Sequence, residues 1–356
     1  MTTLDGDARS PAAAGAPHEP TVERLIEQLL DALHLGRNRR HVADLLRTTV
    51  ALAGDSPDLL NLKIAAAALR EMRDAFEMFQ PYAGERKVAI FGSARTHTDD
   101  PMYGAARQVA SLLADDGWMV ITGAGPGIMQ AAMEGAGRER SIGVSIRLPF
   151  EQSANPVIAG DSKYVSMKYF FTRKLMLIKE AKGFVCLPGG FGTLDETFEL
   201  LTLTQTGKGV PVPIVFLDTP GDPYWEAIAD VIREQLVTRG LVRPSDTDLY
   251  LVTDDCTAAV REISGFYRNY DSLRYVGDQL VIRIRTAPSD EQLASLNEEF
   301  GSLCVTGSIQ RSGPLPIEAR ERDVVELPRL VFHFAKHRFG ELRLLIDAIN
   351  ALAGPA

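Results

Sequence analysis

Residues 188 to 196 read Pro-Gly-Gly-Phe-Gly-Thr-Leu-Asp-Glu. They follow the short apolar run Gly183-Phe-Val-Cys-Leu187 and precede Thr197-Phe-Glu-Leu-Leu-Thr-Leu-Thr204, which continues as a helix. A buried strand therefore feeds a helix through a glycine-rich turn. Three glycines in four positions, Gly189, Gly190 and Gly192, allow positive φ and close approach of a ligand to the main chain. The free N–H groups at the helix N-terminus favour an anion, with phosphate the natural guest. One helical turn past Thr193 the same run delivers a carboxylate, Glu196. A phosphate cradle beside a carboxylate is the core of a nucleotide-processing site.

Glu196 has two readings. In Thr193-Leu-Asp-Glu196 the threonine can cap the helix while the glutamate reaches back to the cap N–H, a capping box. Alternatively the carboxylate faces a ligand; one rotamer cannot do both. Asp195 points about 100° away around the helix, which argues against a carboxylate pair and for a favourable first-turn charge. Arg173 is either a surface charge or a planar guanidinium clamping substrate oxygens or Glu196, and Lys174 reads as a supporting ion pair. Gly123-Ala-Gly-Pro-Gly127 departs from the dinucleotide fingerprint because its third glycine comes one position early. The strand region 141–147 offers no acid for a ribose, so NAD binding is disfavoured. Gly207-Lys-Gly209 lacks the Ser or Thr of a phosphate loop and reads as a turn. The six histidines show no convincing metal-ligand spacing; His97 is the one placed near a candidate loop.

Pro188-Gly-Gly-x-Gly-Thr-x-x-Glu196 resembles the signature of the LOG family, phosphoribohydrolases once labelled lysine decarboxylases. Phe91-Gly-Ser-Ala-Arg95 resembles that family's first loop, Thr122-Gly-Ala-Gly-Pro-Gly-Ile-Met129 its second, and Arg173-Lys174 its helical Arg-Lys pair. The resemblance runs over residues 84–268 and leaves both flanks outside. It implies that Glu196 and Arg173 are catalytic. It implies that Gly189, Gly190, Gly192, Thr193, Ser93, Gly125, Met129 and Lys174 contact or support the substrate. The implied reaction is hydrolysis of the N-glycosidic bond of a nucleoside 5′-monophosphate, AMP or an N6-modified AMP, to free base and ribose 5-phosphate. No metal, redox cofactor or pyridoxal phosphate is implied, and a homodimer or larger homo-oligomer is. The role would be hormone activation, as in cytokinin biosynthesis, or nucleotide salvage. Two other readings remain: a nucleotide-binding regulator without turnover, and a phosphotransferase, which needs a second substrate site.

The elements that must position these residues alternate. Strands are predicted at 87–91, 118–122, 141–146, 183–187, 212–217 and 248–252, with helices near 101–116, 126–139, 168–181, 193–206, 223–238 and 255–267. This is an α/β pattern: a doubly wound, Rossmann-like parallel sheet whose three glycine loops open on one edge. Residues 1–20 read as a disordered tail and 21–82 as a helical N-terminal module broken at Asp55-Ser-Pro57. Residues 84–268 form the Rossmann-like domain and 270–356 a small α+β module. In the last, strands are expected at 279–285 and 330–334, with helices at 289–300, capped by Ser289, and at 339–351. Gly313, Pro314 and Pro316 mark a loop.

Length and composition set outer bounds. At 356 residues, 45% hydrophobic and 24% charged, the chain is an ordinary globular composition with one large domain and appendages. A net charge of -9 argues against a nucleic-acid surface. The three cysteines, Cys186, Cys256 and Cys304, form no paired motif and suit a reducing cytoplasm. No run approaches the ~20 apolar residues of a membrane span.

Overall fold

Strands covered on both faces must be largely apolar, and the central strands are so, with a few buried polar positions such as Lys87 and Thr122. β1 (Lys87–Phe91) is buried throughout. The computed structural model describes residues 21–55, 58–148 and 154–353. The expected tail and most of the break at Asp55-Ser-Pro57 lie outside these residues. The chain divides into two units, Met1–Leu69 and Arg70–Ala356. In the first, α1 (Val22–Ala32) packs Ile26 and Leu30 on Ala43 of α2 (Arg39–Gly54). α3 (Leu59–Phe79) begins in that unit and ends in the second.

From β1 the second unit runs through α4 (Pro101–Asp115), β2 (Met119–Thr122), α5 (Ile128–Ala136), β3 (Ser141–Ile146), β4 (Tyr164–Met167), α6 (Phe170–Glu180) and β5 (Gly183–Cys186). It continues as α7 (Phe191–Gln205), β6 (Ile214–Leu217), α8 (Tyr224–Val231), β7 (Leu251–Thr253) and α9 (Cys256–Gly265). The seven strands form one parallel sheet in the order β4-β3-β2-β1-β5-β6-β7. Alternate strand residues face opposite helical layers. Val88, Ile90, Val120 and Val185 meet α4, α5 and α9. Ala89, Phe91, Ile121, Phe184 and Cys186 meet α6, α7, α8 and the end of α3. This is the α/β, doubly wound, Rossmann-like fold of the sequence reading. The chain walks outward from β1 to β4 and then returns to β5 on the other side of β1. The switch point lies between β1 and β5, where such sheets bind ligands at the carboxyl ends of their strands.

Edge strand β4 was not anticipated. Its Tyr164, Val165 and Ser166 are only half-buried, so the segment lacks the apolar run that marks its neighbours.

The chain then enters β8 (Tyr270–Val276), β9 (Gln279–Ile284), α10 (Asp290–Phe300), β10 (Gln310–Ser312), α11 (Pro316–Glu321), β11 (Arg329–Phe332) and α12 (Phe339–Ala351). The strands form an antiparallel sheet, β10-β11-β9-β8, over which α10 and α12 close an apolar core of Leu280, Ile282, Leu296, Leu330, Leu345 and Ile346. Ser289 caps α10 in a full capping box with Gln292. α11 occupies what read as a loop: Pro316 sits in its first turn, where a missing N–H costs nothing. Among the described residues no helix is long and apolar enough to cross a membrane.

Candidate active site

The β1 and β5 loops meet at the switch point. Ser93 N–H donates to Pro188 O at 3.2 Å, and Ile128 N–H donates to Ser93 O at 3.0 Å, tying in the third loop at the start of α5. Gly127 makes that junction possible: its φ is 64°, and a methyl there would lie 2.4 Å from Ser93 O. Between the loops opens a cleft of about 1240 Å³. It is lined by Ser93, Gly125, Met129, Arg173, Gly189, Gly190, Gly192, Thr193 and Glu196, and also by Arg95, Ser145, Arg147 and Tyr164. The candidate residues, scattered over about a hundred positions, are thus brought to one place, with one exception.

That exception is Lys174. It stands apart from the cleft lining and pairs with Asp195 at 2.7 Å and Glu199 at 2.5 Å. Burial opposes its charge, but the bonds it donates to Asp195 and Glu199 outweigh this and hold Lys174 above the ordinary lysine range. It fastens α6 to α7. His97 is exposed and outside the lining.

Two local readings require correction. None of Gly189, Gly190 and Gly192 adopts a positive φ. Gly189 is glycine for space, since a methyl would lie 2.2 Å from Thr193 Oγ1, whereas Gly190 and Gly192 face open space with nothing within 4 Å. Without side chains they leave the main chain bare. The capping box also does not form: α7 begins at Phe191, its N-cap is Gly190, and no side chain caps it. The helix starts two residues earlier than expected, which places Thr193 inside the first turn and leaves Glu196 without a capping duty.

Glu196 instead faces Arg173, with Oε1 3.5 Å from Nη1 and both side chains only 12% exposed. Arg173 is anchored from behind by Nε donating to Val144 O at 3.2 Å. Gly123 leaves the room for this: a methyl there would lie 2.3 Å from Arg173 Nη2 and 2.7 Å from Met129 Sδ. Burial pushes the Glu196 carboxyl above the ordinary range, and the Arg173 charge pulls the other way without winning. At 3.5 Å the pair is too long for the tight charge-assisted hydrogen bond of about 2.7–2.9 Å that would hold the carboxylate ionised. The arrangement is a sheltered carboxylate of raised basicity, one turn from a stretch of bared backbone N–H groups at a helix N-terminus. It can bind a phosphate and, beside it, stabilise positive charge or accept a proton.

Sequence reading missed Ser145, Tyr164 and Arg147. Ser145 Oγ and Tyr164 OH share a hydrogen bond of 2.7 Å across β3 and β4 on the cleft wall. Tyr164 had no signal without β4. Arg147 lies directly after β3, at the strand's carboxyl end, and that position was the available signal. Tyr224 also supports the site from α8, its OH donating to Gly189 O at 2.7 Å.

Residues 127–263 match a family model described as "Possible lysine decarboxylase". The chain is 24% identical over 212 residues to the cytokinin riboside 5′-monophosphate phosphoribohydrolase LOG7 of Arabidopsis thaliana, covering 58% of this chain and 94% of that protein. It is 27% identical over 187 residues to the cytokinin riboside 5′-monophosphate phosphoribohydrolase of Mycobacterium tuberculosis, covering 50% and 93%. Among solved structures, the molybdenum cofactor carrier protein of Chlamydomonas reinhardtii aligns with 51% of this chain and 96% of its own, at 19% identity and a TM-score of 0.35. By its matched segment and these curated relatives, the α/β region of this chain is similar to the LOG family.

Proposed function

We propose that the protein is a nucleoside 5′-monophosphate phosphoribohydrolase, cleaving AMP or an N6-modified AMP to free base and ribose 5-phosphate. The observation that carries this reading is the buried Glu196, freed from capping, held opposite Arg173 and one turn beyond the bared Gly190–Gly192 backbone. The loop takes the 5′-phosphate and fixes the ribose over the carboxylate, so that binding energy remote from the reacting centre orients it. The bond from C1′ to the base nitrogen breaks, its electron pair leaving with the base, which takes a proton from solvent. Water forms the new C1′–O bond and gives up a proton. Glu196 faces the developing positive charge on the ribose and accepts that proton, comparable to carboxylate work in glycoside hydrolysis. A carboxyl raised above its ordinary range is better matched to this at neutral pH than an exposed one. Arg173 holds Glu196 and the sugar hydroxyls. The cleft volume accommodates a nucleotide. The names of the curated relatives agree with this reaction. Amine decarboxylation is a poorer fit: among the described residues no lysine lines the cleft, and Lys174 is bound to two carboxylates.

The working form is a homodimer. Phe170, Phe171 and Leu175 on α6, with Phe191 and Phe198 on α7, are all exposed, and Phe191 is 93% so. Phe170 and Phe191 border the cleft itself. A cluster of large apolar side chains beside a polar site marks an interaction surface.

The test is base release from a panel of nucleoside monophosphates, followed by chromatography, with Glu196→Ala and unphosphorylated nucleosides as controls. Release that needs both the phosphate and Glu196 supports the reading and names the base. No release from any member, with phosphate-dependent binding intact, would replace the enzyme with a nucleotide sensor.

A further inference from the structure

α6 carries Arg173, yet its first turn has no local cap: Tyr169 is the N-cap and offers no side-chain bond. The missing acceptor comes from about a hundred residues earlier in the chain. Glu71, on the part of α3 that belongs to the second unit, is buried. Its Oε1 accepts from Lys168 N–H at 2.6 Å and from Arg147 Nη2 at 3.2 Å. Its Oε2 accepts from Thr172 Oγ1 at 2.7 Å and Tyr169 N–H at 3.4 Å. One carboxylate thus gathers the residue after β3, the end of β4 and the start of α6. Arg147 N–H also donates to Met167 O at 2.8 Å, closing the same knot. Thr172 is the immediate neighbour of Arg173, whose Nε spans the gap from α6 back to β3 at Val144 O.

We propose that Glu71 is a positioning residue of this active site: it locks the first turn of α6 to the carboxyl end of β3 and so sets the Arg173 guanidinium opposite Glu196, with Arg147 on the cleft wall. This rests on the phosphoribohydrolase reading for its kinetic consequence, though not for its geometry. Glu71 lies outside the matched segment 127–263, so a residue upstream of that segment, within the second unit, supports the site. A carboxylate serves here because it accepts two main-chain N–H groups at a helix N-terminus, where negative charge is favoured, and a guanidinium at once. Glutamine keeps the shape but has one acceptor oxygen and no charge.

The experiment compares the full chain with Glu71→Gln and with Glu77→Gln, an exposed position on the same helix. Steady-state kinetics on AMP is run beside NMR of the Arg173 Nε–H, which is held by Val144 O. Glu71→Gln is expected to lose about 10- to 100-fold in kcat, as an ångström-scale misplacement does, with KM little changed because the phosphate loop is untouched. Its Arg173 Nε–H should exchange faster than in the wild type. Combined with Arg173→Lys, it should add little further loss, whereas Glu77→Gln should match the wild type throughout. A merely structural role would lower Tm and leave kcat and the Arg173 signal unchanged, and that result overturns the proposal. If the wild type releases no base, the phosphoribohydrolase reading fails by itself and the Arg173 signal still decides the role of Glu71. Unaltered protection in Glu71→Gln refutes it; accelerated exchange supports it.

Discussion

Gly123→Ala is expected to disable the site while leaving the protein folded. Gly123 is not in the left-handed region, so alanine meets no backbone strain there. Its methyl would lie 2.3 Å from Arg173 Nη2 and 2.7 Å from Met129 Sδ, against about 3.4 Å for ordinary contact. The guanidinium must therefore retreat by about 1 Å, at the expense of the bond to Val144 O or the approach to Glu196. A misplacement of that size costs about 100-fold in kcat. Both displaced groups are far ends of flexible side chains, so the stability cost should fall near the low end for overpacking, about 1 kcal/mol. The assay is base release from AMP, with a thermal melt on the same preparation. Gly104→Ala, in α4 with open space around it, is the companion; it should be fully active and slightly stabilised, by about 0.5–1 kcal/mol. A folded Gly123→Ala protein within about threefold of wild-type kcat would refute the reasoning, because Arg173 would then not need its observed place.

The remaining expectations concern charge and assembly. Burial raises the Glu196 carboxyl, so kcat should fall with decreasing pH at a value above the ordinary carboxylate range. The same shift has a sign in stability. A raised folded value favours the protonated form, so the cost of this carboxylate is absent below its unfolded value and appears as pH rises through the folded one. The melting temperature of Glu196→Gln relative to wild type should accordingly increase with pH, and a flat difference would contradict the assigned burial. In the C-terminal layer, Glu318 is fully buried between Arg329, also fully buried, and Arg283, at 2.9 and 2.7 Å. Glu318→Ala leaves Arg329 without a carboxylate and Arg283 with Asp323 alone, and should cost about 3–5 kcal/mol, read by urea denaturation. On the α6–α7 face, Leu175→Arg with Phe198→Glu should shift sedimentation from dimer to monomer; a monomeric wild type at micromolar concentration would count against the dimer.

Local structure was legible in the sequence where a residue's partner lay close by in the chain. The apolar runs of β1, β2, β3 and β5 identify themselves because both faces are covered, and the glycine turns between them announce the sheet edge. Ser289 and Gln292 form the capping box their spacing suggests. Thr193 and Glu196 have the same spacing and do not, because α7 starts at Phe191 and the glycines before it supply space rather than positive φ. Tyr164 hid on a half-buried edge strand whose pattern resembles a loop. Glu71 looked like one more charge on a helix; its four partners come from residues 147 to 172, and such a distance leaves no local trace.

The most direct test of the central claim separates holding from chemistry at Glu196. AMP affinity by calorimetry and adenine release by chromatography would be measured side by side for wild type and Glu196→Gln. The expected result is AMP affinity within a few-fold of wild type and release reduced by about 10³-fold, since the backbone loop binds and the carboxylate reacts. Release at the wild-type rate from Glu196→Gln would contradict the account, whatever its affinity for AMP.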